Sequence, residues 1–144
     1  MNVQQLLRGK GCKVVTVGTH ATIDILTRRL RMEKIGAAVV SDDGETVEGI
    51  ISERDVVKGL ADHGAELRAM MGSELMTKNV FTCKPDDDIG DIMHLMTQKR
   101  IRHLPVIEHG RLTGVISIGD VVKNRLEDMQ MEANVLRDYI ALRQ

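Results

Sequence analysis

The chain repeats itself. Residues 49–57 read Gly-Ile-Ile-Ser-Glu-Arg-Asp-Val-Val and residues 114–122 read Gly-Val-Ile-Ser-Ile-Gly-Asp-Val-Val, with six of nine positions identical at an offset of 65. Upstream, Thr16 and Thr82, Ile23 and Ile89, Ile35 and Ile101, and Val40 and Val106 recur at an offset of 66. The difference of one fits a shorter loop before Gly114. Two copies of one small unit restrict the fold to a doubled architecture, because each copy carries an apolar face that it can bury only against its neighbour. The copies take residues 13–63 and 75–128, joined by a linker, Asp62–Glu74, that contains Gly64 and Gly72. Residues 129–144 form a C-terminal helix.

The two copies predict the same element order. A short strand comes first, Lys13–Val17 or Asn79–Cys83. A helix follows, with Ile23, Leu26 and Leu30, or Ile89, Ile92 and Met96, on one face at helical spacing. Asp86 to Asp88 crowd the start of the second of these helices, where the dipole favours negative charge. A strand at Ala37–Val40 or Leu104–Ile107, a polar turn at Ser41–Gly44 or Glu108–Gly110, and a strand at Val47–Ile51 or Leu112–Ile116 make a hairpin-like pair. A helix then begins near Asp55 or Asp120. The fold class is therefore α/β of the α+β kind, in two strand–helix–strand–strand–helix units. Beyond them, Leu126, Met129, Ala133, Leu136 and Ile140 step by three and four along a helix rich in charge. This narrow stripe packs either on the protein's own core or on the helix of another subunit.

Composition removes several function classes. With 42% hydrophobic residues the chain builds a core, and 20 Lys+Arg against 21 Asp+Glu leave a net charge of -1, without the basic footprint of a nucleic-acid binder. Phe81 and Tyr139 are its aromatic residues, so platforms for stacking bases are missing and the core falls to aliphatic side chains and nine Met. No window approaches 18 uncharged apolar residues, and Met1–Lys13 lacks the apolar stretch of a signal peptide. A cytoplasmic location is expected, with Cys12 and Cys83 reduced.

Ser52–Asp55 and Ser117–Asp120 carry the chemistry. Each is a capping box, in which a Ser at the N-cap and an acid three residues later satisfy free backbone N–H groups. The same geometry serves a ligand, because a helix N-terminus favours anions and an Asp held there accepts hydrogen bonds from both hydroxyls of a ribose. Lys99-Arg100-Ile101-Arg102-His103 supplies cationic groups, either as a solvated helix end or as phosphate ligands. Strand alternation sends Arg102 and His103 to opposite faces. Phosphate-loop, dinucleotide-fingerprint and zinc-protease motifs are absent, and His20, His63, His94, His103 and His109 form no metal-ligand spacing with either cysteine. No catalytic or metal residue is assigned, and Cys83 reads as a small buried residue.

The doubled pattern resembles the CBS-domain family, named after cystathionine β-synthase, in its stand-alone tandem form, the Bateman module. Gly49-Ile50-Ile51-Ser52-Glu53-Arg54-Asp55, Gly114-Val115-Ile116-Ser117-Ile118-Gly119-Asp120 and His103-Leu104-Pro105-Val106 carry the resemblance, which covers about residues 13–126. It implies two βαββα repeats related by a pseudo-two-fold axis, with sheets packed together, two clefts between them, and a homodimer in the form of a flat disc. It also implies binding of AMP or NAD, or alternatively ADP, ATP or S-adenosylmethionine. The first cleft would gather Ser117, Asp120, Val115, Arg102 and His103, with Thr16, Ala21 and Val39 around the base. The second would gather Ser52, Arg54 and Asp55 with Thr82, where Asp87 replaces the equivalent of Ala21 and sets an acid near the base. Gly36 and Ala37 stand where the second copy has Arg102 and His103, so the clefts are unequal and the first suits AMP better. Arg54 would serve a diphosphate, as in NAD. The expected function is a non-catalytic adenine-nucleotide sensor read by a protein target. The alternatives are a structural homodimeric scaffold without ligand and an enzyme acting on a nucleotide.

Overall fold

The computed structural model describes residues 1–11 and 13–143. The expectation of a reduced Cys12 lies outside them. In chain order the elements are α1 (Val3–Lys10), β1 (Thr16–Val17), α2 (Ile23–Glu33), β2 (Ala37–Val40), β3 (Gly49–Ser52) and α3 (Glu53–His63). A 3₁₀ helix (Gly64–Ala69) follows, then α4 (Gly72–Leu75), α5 (Ile89–Lys99), β4 (His103–Glu108), β5 (Arg111–Ser117) and α6 (Ile118–Leu142). The architecture is the α+β arrangement expected from the repeat. Among the described residues no helix is long and apolar enough to cross a membrane.

In the first repeat β1 runs parallel to β2 and β2 antiparallel to β3, with Thr16 opposite Val39 and Ala38 opposite Ile51. In the second, β4 and β5 form the antiparallel pair. The expected strand at Asn79–Cys83 shrinks to one parallel bridge between Cys83 and Val106. Cys83 N–H donates to the Pro105 carbonyl at 3.0 Å and the Cys83 carbonyl accepts from Ile107 at 2.9 Å. Phe81 and Thr82 are exposed, so no sheet partner extends the pairing. The first expected strand likewise shortens, to Thr16–Val17.

Capping explains the helix starts. Thr22, Ser52, Asp88 and Ser117 each accept a hydrogen bond from a first-turn N–H. α3 and α6 therefore begin directly after their Ser, at Glu53 and Ile118, two residues ahead of the expected Asp. α2 and α5 end on left-handed Lys34 (φ 55°) and Arg100 (φ 53°), so the two repeats match even in an unusual backbone state.

The core is double, and its halves exchange their leading segments. One cluster joins Ile89, Ile92, Met96, Leu104, Val106 and Ile116 of the second repeat with Val3, Leu6 and Leu7 of α1. The other joins Ile23, Leu26, Leu30, Ala38 and Ile51 of the first repeat with Leu67, and Leu75 and Met76 pack against it. The helix that precedes the first repeat thus covers the second, and the segment expected to be a linker covers the first. Backbone bonds fix α1 there, from Val3 N–H to the Asp87 carbonyl at 3.0 Å and from Gln4 N–H to the Pro85 carbonyl at 2.8 Å. The boundary expected at residue 129 does not interrupt the helix: α6 is one element of 25 residues, about 37 Å long. Its stripe does not reach the protein's own core, because Leu126, Met129, Leu136 and Ile140 are 61, 52, 60 and 52% exposed.

Candidate functional sites

Equivalent backbone bonds position both Ser–Asp pairs. Glu53 N–H donates to the Gly36 carbonyl at 2.9 Å, and Ile118 N–H donates to the Arg102 carbonyl at 2.8 Å. Each bond ties the first turn of a helix to the residue that leads into the neighbouring strand. His103 stands over Gly36, where an added Cβ would come within 3.4 Å of its ring. The imidazole therefore sits between two clefts and lines both.

The first cleft, of about 380 Å³, brings together Val115, Ser117, Asp120 and His103 as expected, with Ala37, Val15, Lys10, Lys13 and Lys34. The second, of about 240 Å³, brings together Ser52, Arg54 and Asp55 with Arg102, His103, Arg100, Asn79 and Phe81. Small-molecule sites span about 300–1,000 Å³, which the first cleft meets and the second approaches.

Several expected residues lie elsewhere. Arg102 lines the second cleft instead of the first, while His103 faces both. Val15 and Phe81 line the clefts, one position before Thr16 and Thr82, and on extended chain one residue reverses the face. Thr16 pairs with Val39, which is fully buried. Ala21 packs on the core of the first repeat and its carbonyl accepts from Gly72 N–H at 2.7 Å. Thr82 lines a separate groove with Asp87 and His109. Asp87 accepts from Lys84 N–H at 2.8 Å there, so the acid expected near a base in the second cleft is not part of it. Lys10 and Phe81 are cleft residues that sequence reasoning missed. The Asn2–Gln5 capping box and the Val3–Leu6–Leu7 spacing of α1 were the available signal for Lys10.

Both capping boxes form. Ser117 N–H donates to Asp120 Oδ2 at 2.9 Å and Asp120 N–H donates to Ser117 Oγ at 3.2 Å. Asp55 Oδ2 accepts from Ser52 N–H at 2.9 Å and from Ser52 Oγ at 3.1 Å. Lys10 Nζ donates to Asp120 Oδ2 at 2.6 Å and to the Val115 carbonyl at 2.8 Å. All these carboxylate bonds fall on Oδ2, and Oδ1 of each acid takes none of them. Capping and ligand binding are thus compatible: one oxygen holds the helix, and the other takes no part in the cap of an acid that lines a cleft.

The electrostatics of the clefts follow from these contacts. Burial works to raise the pKa of Asp120, but the Lys10 ammonium and the Ser117 N–H outweigh it and hold the carboxyl below its ordinary value. Burial, and then the charge of Lys10, lower the pKa of His103 against the opposing pull of Glu53 and Asp120. The imidazole is therefore neutral near pH 7, and fixed positive charge in the first cleft comes from lysines. Burial pushes the Cys83 thiol up to about 12, with Asp87 adding to the shift, so it is no nucleophile at neutral pH.

The CBS-domain family model matches residues 11–62 and 72–127. The chain belongs to the CBS-domain family. The crystal structure of the CBS-domain containing protein ATU1752 from Agrobacterium tumefaciens is 48% identical, with a TM-score of 0.84, covering 87% of this chain and 99% of that one. The CBS domain-containing protein CBSX3, mitochondrial, of Arabidopsis thaliana is 32% identical over 126 residues, which are 85% of this chain and 61% of that protein. The chain thus spans about three fifths of that relative. In fold it also resembles the CBS domain pair of protein MJ0100, crystallised in complex with 5′-methylthioadenosine and S-adenosyl-L-methionine. That pair is 22% identical, with a TM-score of 0.79, and the match covers 89% of this chain and 98% of that one. The CBS pair accounts for the mirrored helix caps, the paired clefts and the matching left-handed residues at Lys34 and Arg100.

Proposed function

We propose that this CBS pair is a non-catalytic cytoplasmic sensor that binds an adenosine-containing ligand in its clefts, with AMP or NAD preferred, and that a protein target reads the bound state. The observation that carries this reading is the pair of carboxylates at the helix starts. Each fixes Oδ2 on its own cap and lines a cleft with Oδ1 uncommitted, the geometry required to accept two hydroxyl donors from a ribose. A scaffold that used these acids only as caps would have no need to place them in grooves. The adenosine compounds named for the MJ0100 pair support the same ligand class. An enzyme is disfavoured, since among the described residues no acid is hydrogen-bonded to His103, which faces cations as well as acids.

Thr16 and Val39 pair on the strands beside the first cleft, Ala21 and Thr82 lie outside the clefts, and Val15 and Ala37, or Phe81, contact the base. Ser52 and Asp55 in one cleft, and Ser117, Asp120 and Val115 in the other, take the ribose. His103, which lines both clefts, would stand between the ribose sites, with Arg102 and Arg54 on the side of the second. Arg54 Nη1 donates to the Arg100 carbonyl at 3.2 Å, which aims its guanidinium across the repeat boundary, where the diphosphate of NAD would run. Homodimerisation through α6 completes the proposal.

Isothermal titration of the full chain with AMP, NAD, ADP, ATP and S-adenosylmethionine tests the reading. Saturable binding is expected, abolished in the first cleft by Asp120→Ala, with the ligand recovered unchanged by chromatography. Absence of binding to every one at millimolar concentration overturns it.

A further inference from the structure

Three lysines line the first cleft, Lys10, Lys13 and Lys34, and Asp120 is the sole acid among its described lining residues. Lys13 is committed to Glu33, its Nζ lying 2.6 Å from Oε2. Lys10 reaches the cleft from the last turn of α1, a helix outside both repeats that Val3, Leu6 and Leu7 hold against the second repeat. Lys34 reaches it from the left-handed cap of α2, where its N–H donates to the Arg31 and Leu30 carbonyls. Lys10 and Lys34 therefore both line a groove whose one carboxylate is already bonded to Lys10. A ribose bonded to Oδ1 draws on the same carboxylate charge that holds Lys10 on Oδ2, so the Lys10–Asp120 pair weakens and the ammonium gains from a new anion. A phosphate on the same ligand supplies it, whereas an uncharged nucleoside leaves the ammonium unpaired. A sulfonium would add repulsion.

We infer that Lys10 determines the ligand's charge class, so that the first cleft selects adenosine compounds with an anionic 5′ substituent by exchanging the Lys10–Asp120 ion pair for a Lys10–phosphate pair. This rests on the adenosine-binding function proposed above and assigns the ligand charge and a residue outside the repeats to it. Lys10 leaves Oδ1 open to the ribose and is best satisfied by a ligand that also brings an anion to its ammonium. S-adenosylmethionine is excluded from this cleft, whatever other CBS pairs accept.

The test is calorimetry with AMP and with adenosine as paired probes, on the full chain and on Lys10→Met, Lys10→Arg and Lys34→Met. The full chain is expected to favour AMP by about tenfold or more, the effect of one charge-assisted contact. In Lys10→Met most of that preference is lost, while adenosine binds as well as before or better, because Asp120 is released. Lys10→Arg retains the preference. Lys34→Met, which leaves the Lys10–Asp120 pair intact, narrows it and provides a second reading should Lys10→Met fold poorly. An unchanged AMP-to-adenosine ratio in both Met variants overturns the inference while leaving nucleotide binding standing, as does weaker adenosine binding in a folded Lys10→Met. If neither probe binds the full chain, this inference is overturned, and the sensor function then rests on the other adenosine compounds titrated above.

Discussion

Leu7 seats its two terminal methyl carbons directly over Gly114, where an added Cβ would stand 2.9 and 3.0 Å from them. The first repeat has the same arrangement, since a Cβ at Gly49 would clash with Met76 Sδ. The glycine that opens each repeated motif is therefore a docking notch for a side chain from outside the hairpin. Gly114→Val should push Leu7 and α1 away, and overpacking of this kind costs about 1–3 kcal/mol. Urea melts should show that loss together with faster proteolysis within residues 3–10. A melting curve and cleavage pattern unchanged from the parent would contradict the notch.

The notch also shows where the sequence was legible and where it was not. The repeat offset revealed the doubled fold and the Ser–Asp helix starts, because those features are local: a cap and its acid lie three residues apart. What covers each glycine lies outside its own repeat, and a period of 65 or 66 cannot signal an exchange between leading segments. Gly64 and Gly72 read as linker punctuation, yet Gly72 is buried beneath Ile51, with a Cβ there 3.3 Å from its Cδ1, and Leu67 is 3% exposed. In the site, alternation set Arg102 and His103 on opposite faces, yet both line the second cleft and, of the two, His103 also lines the first, because β4 begins only at His103. The identity of Thr16 with Thr82 drew attention one residue past Val15 and Phe81.

Equivalent positions should respond equally. Ile51 and Ile116 are both fully buried at matching places on β3 and β5. Truncation to Ala removes buried methyl groups and leaves a cavity, at about 2–5 kcal/mol. Ile51→Ala and Ile116→Ala are expected to fall within about 1 kcal/mol of each other in denaturant melts, within the usual scatter of core sites. If one were near neutral, the two cores would not be equivalent in tightness.

Acid should weaken the protein in two steps. His103 has a folded pKa below its unfolded value of about 6.5, so the unfolded chain binds the extra proton first. Its contribution is full above that value and is lost as pH falls from there through the folded pKa. Asp120 is also lowered, and its stabilisation is full above about 3.9 and is lost on further acidification. Thermal melts at pH 7.5 and 5.5 should differ less in His103→Asn than in the parent chain. An equal pH difference in both would remove His103 as the source of the first step.

The long arm of α6 makes the last prediction. A helix of 25 residues that leaves Leu126, Met129, Leu136 and Ile140 more than half exposed gains little from tertiary packing, and most helices in proteins depend on such packing. Val135, Tyr139 and Leu142 add to the exposed apolar surface of the same segment. Steps of three and four suit burial against a second helix, and a second copy of α6 presents the same stripe to itself, as a two-fold interface requires. Sedimentation equilibrium of the full chain should give twice the 16.0 kDa of one chain. The double variant Leu136→Glu and Ile140→Glu places two charges on the stripe without touching either cleft, and should sediment as a monomer that keeps its nucleotide binding. A parent chain already monomeric at tens of micromolar would remove the dimer. A double variant that stayed dimeric would place its interface elsewhere.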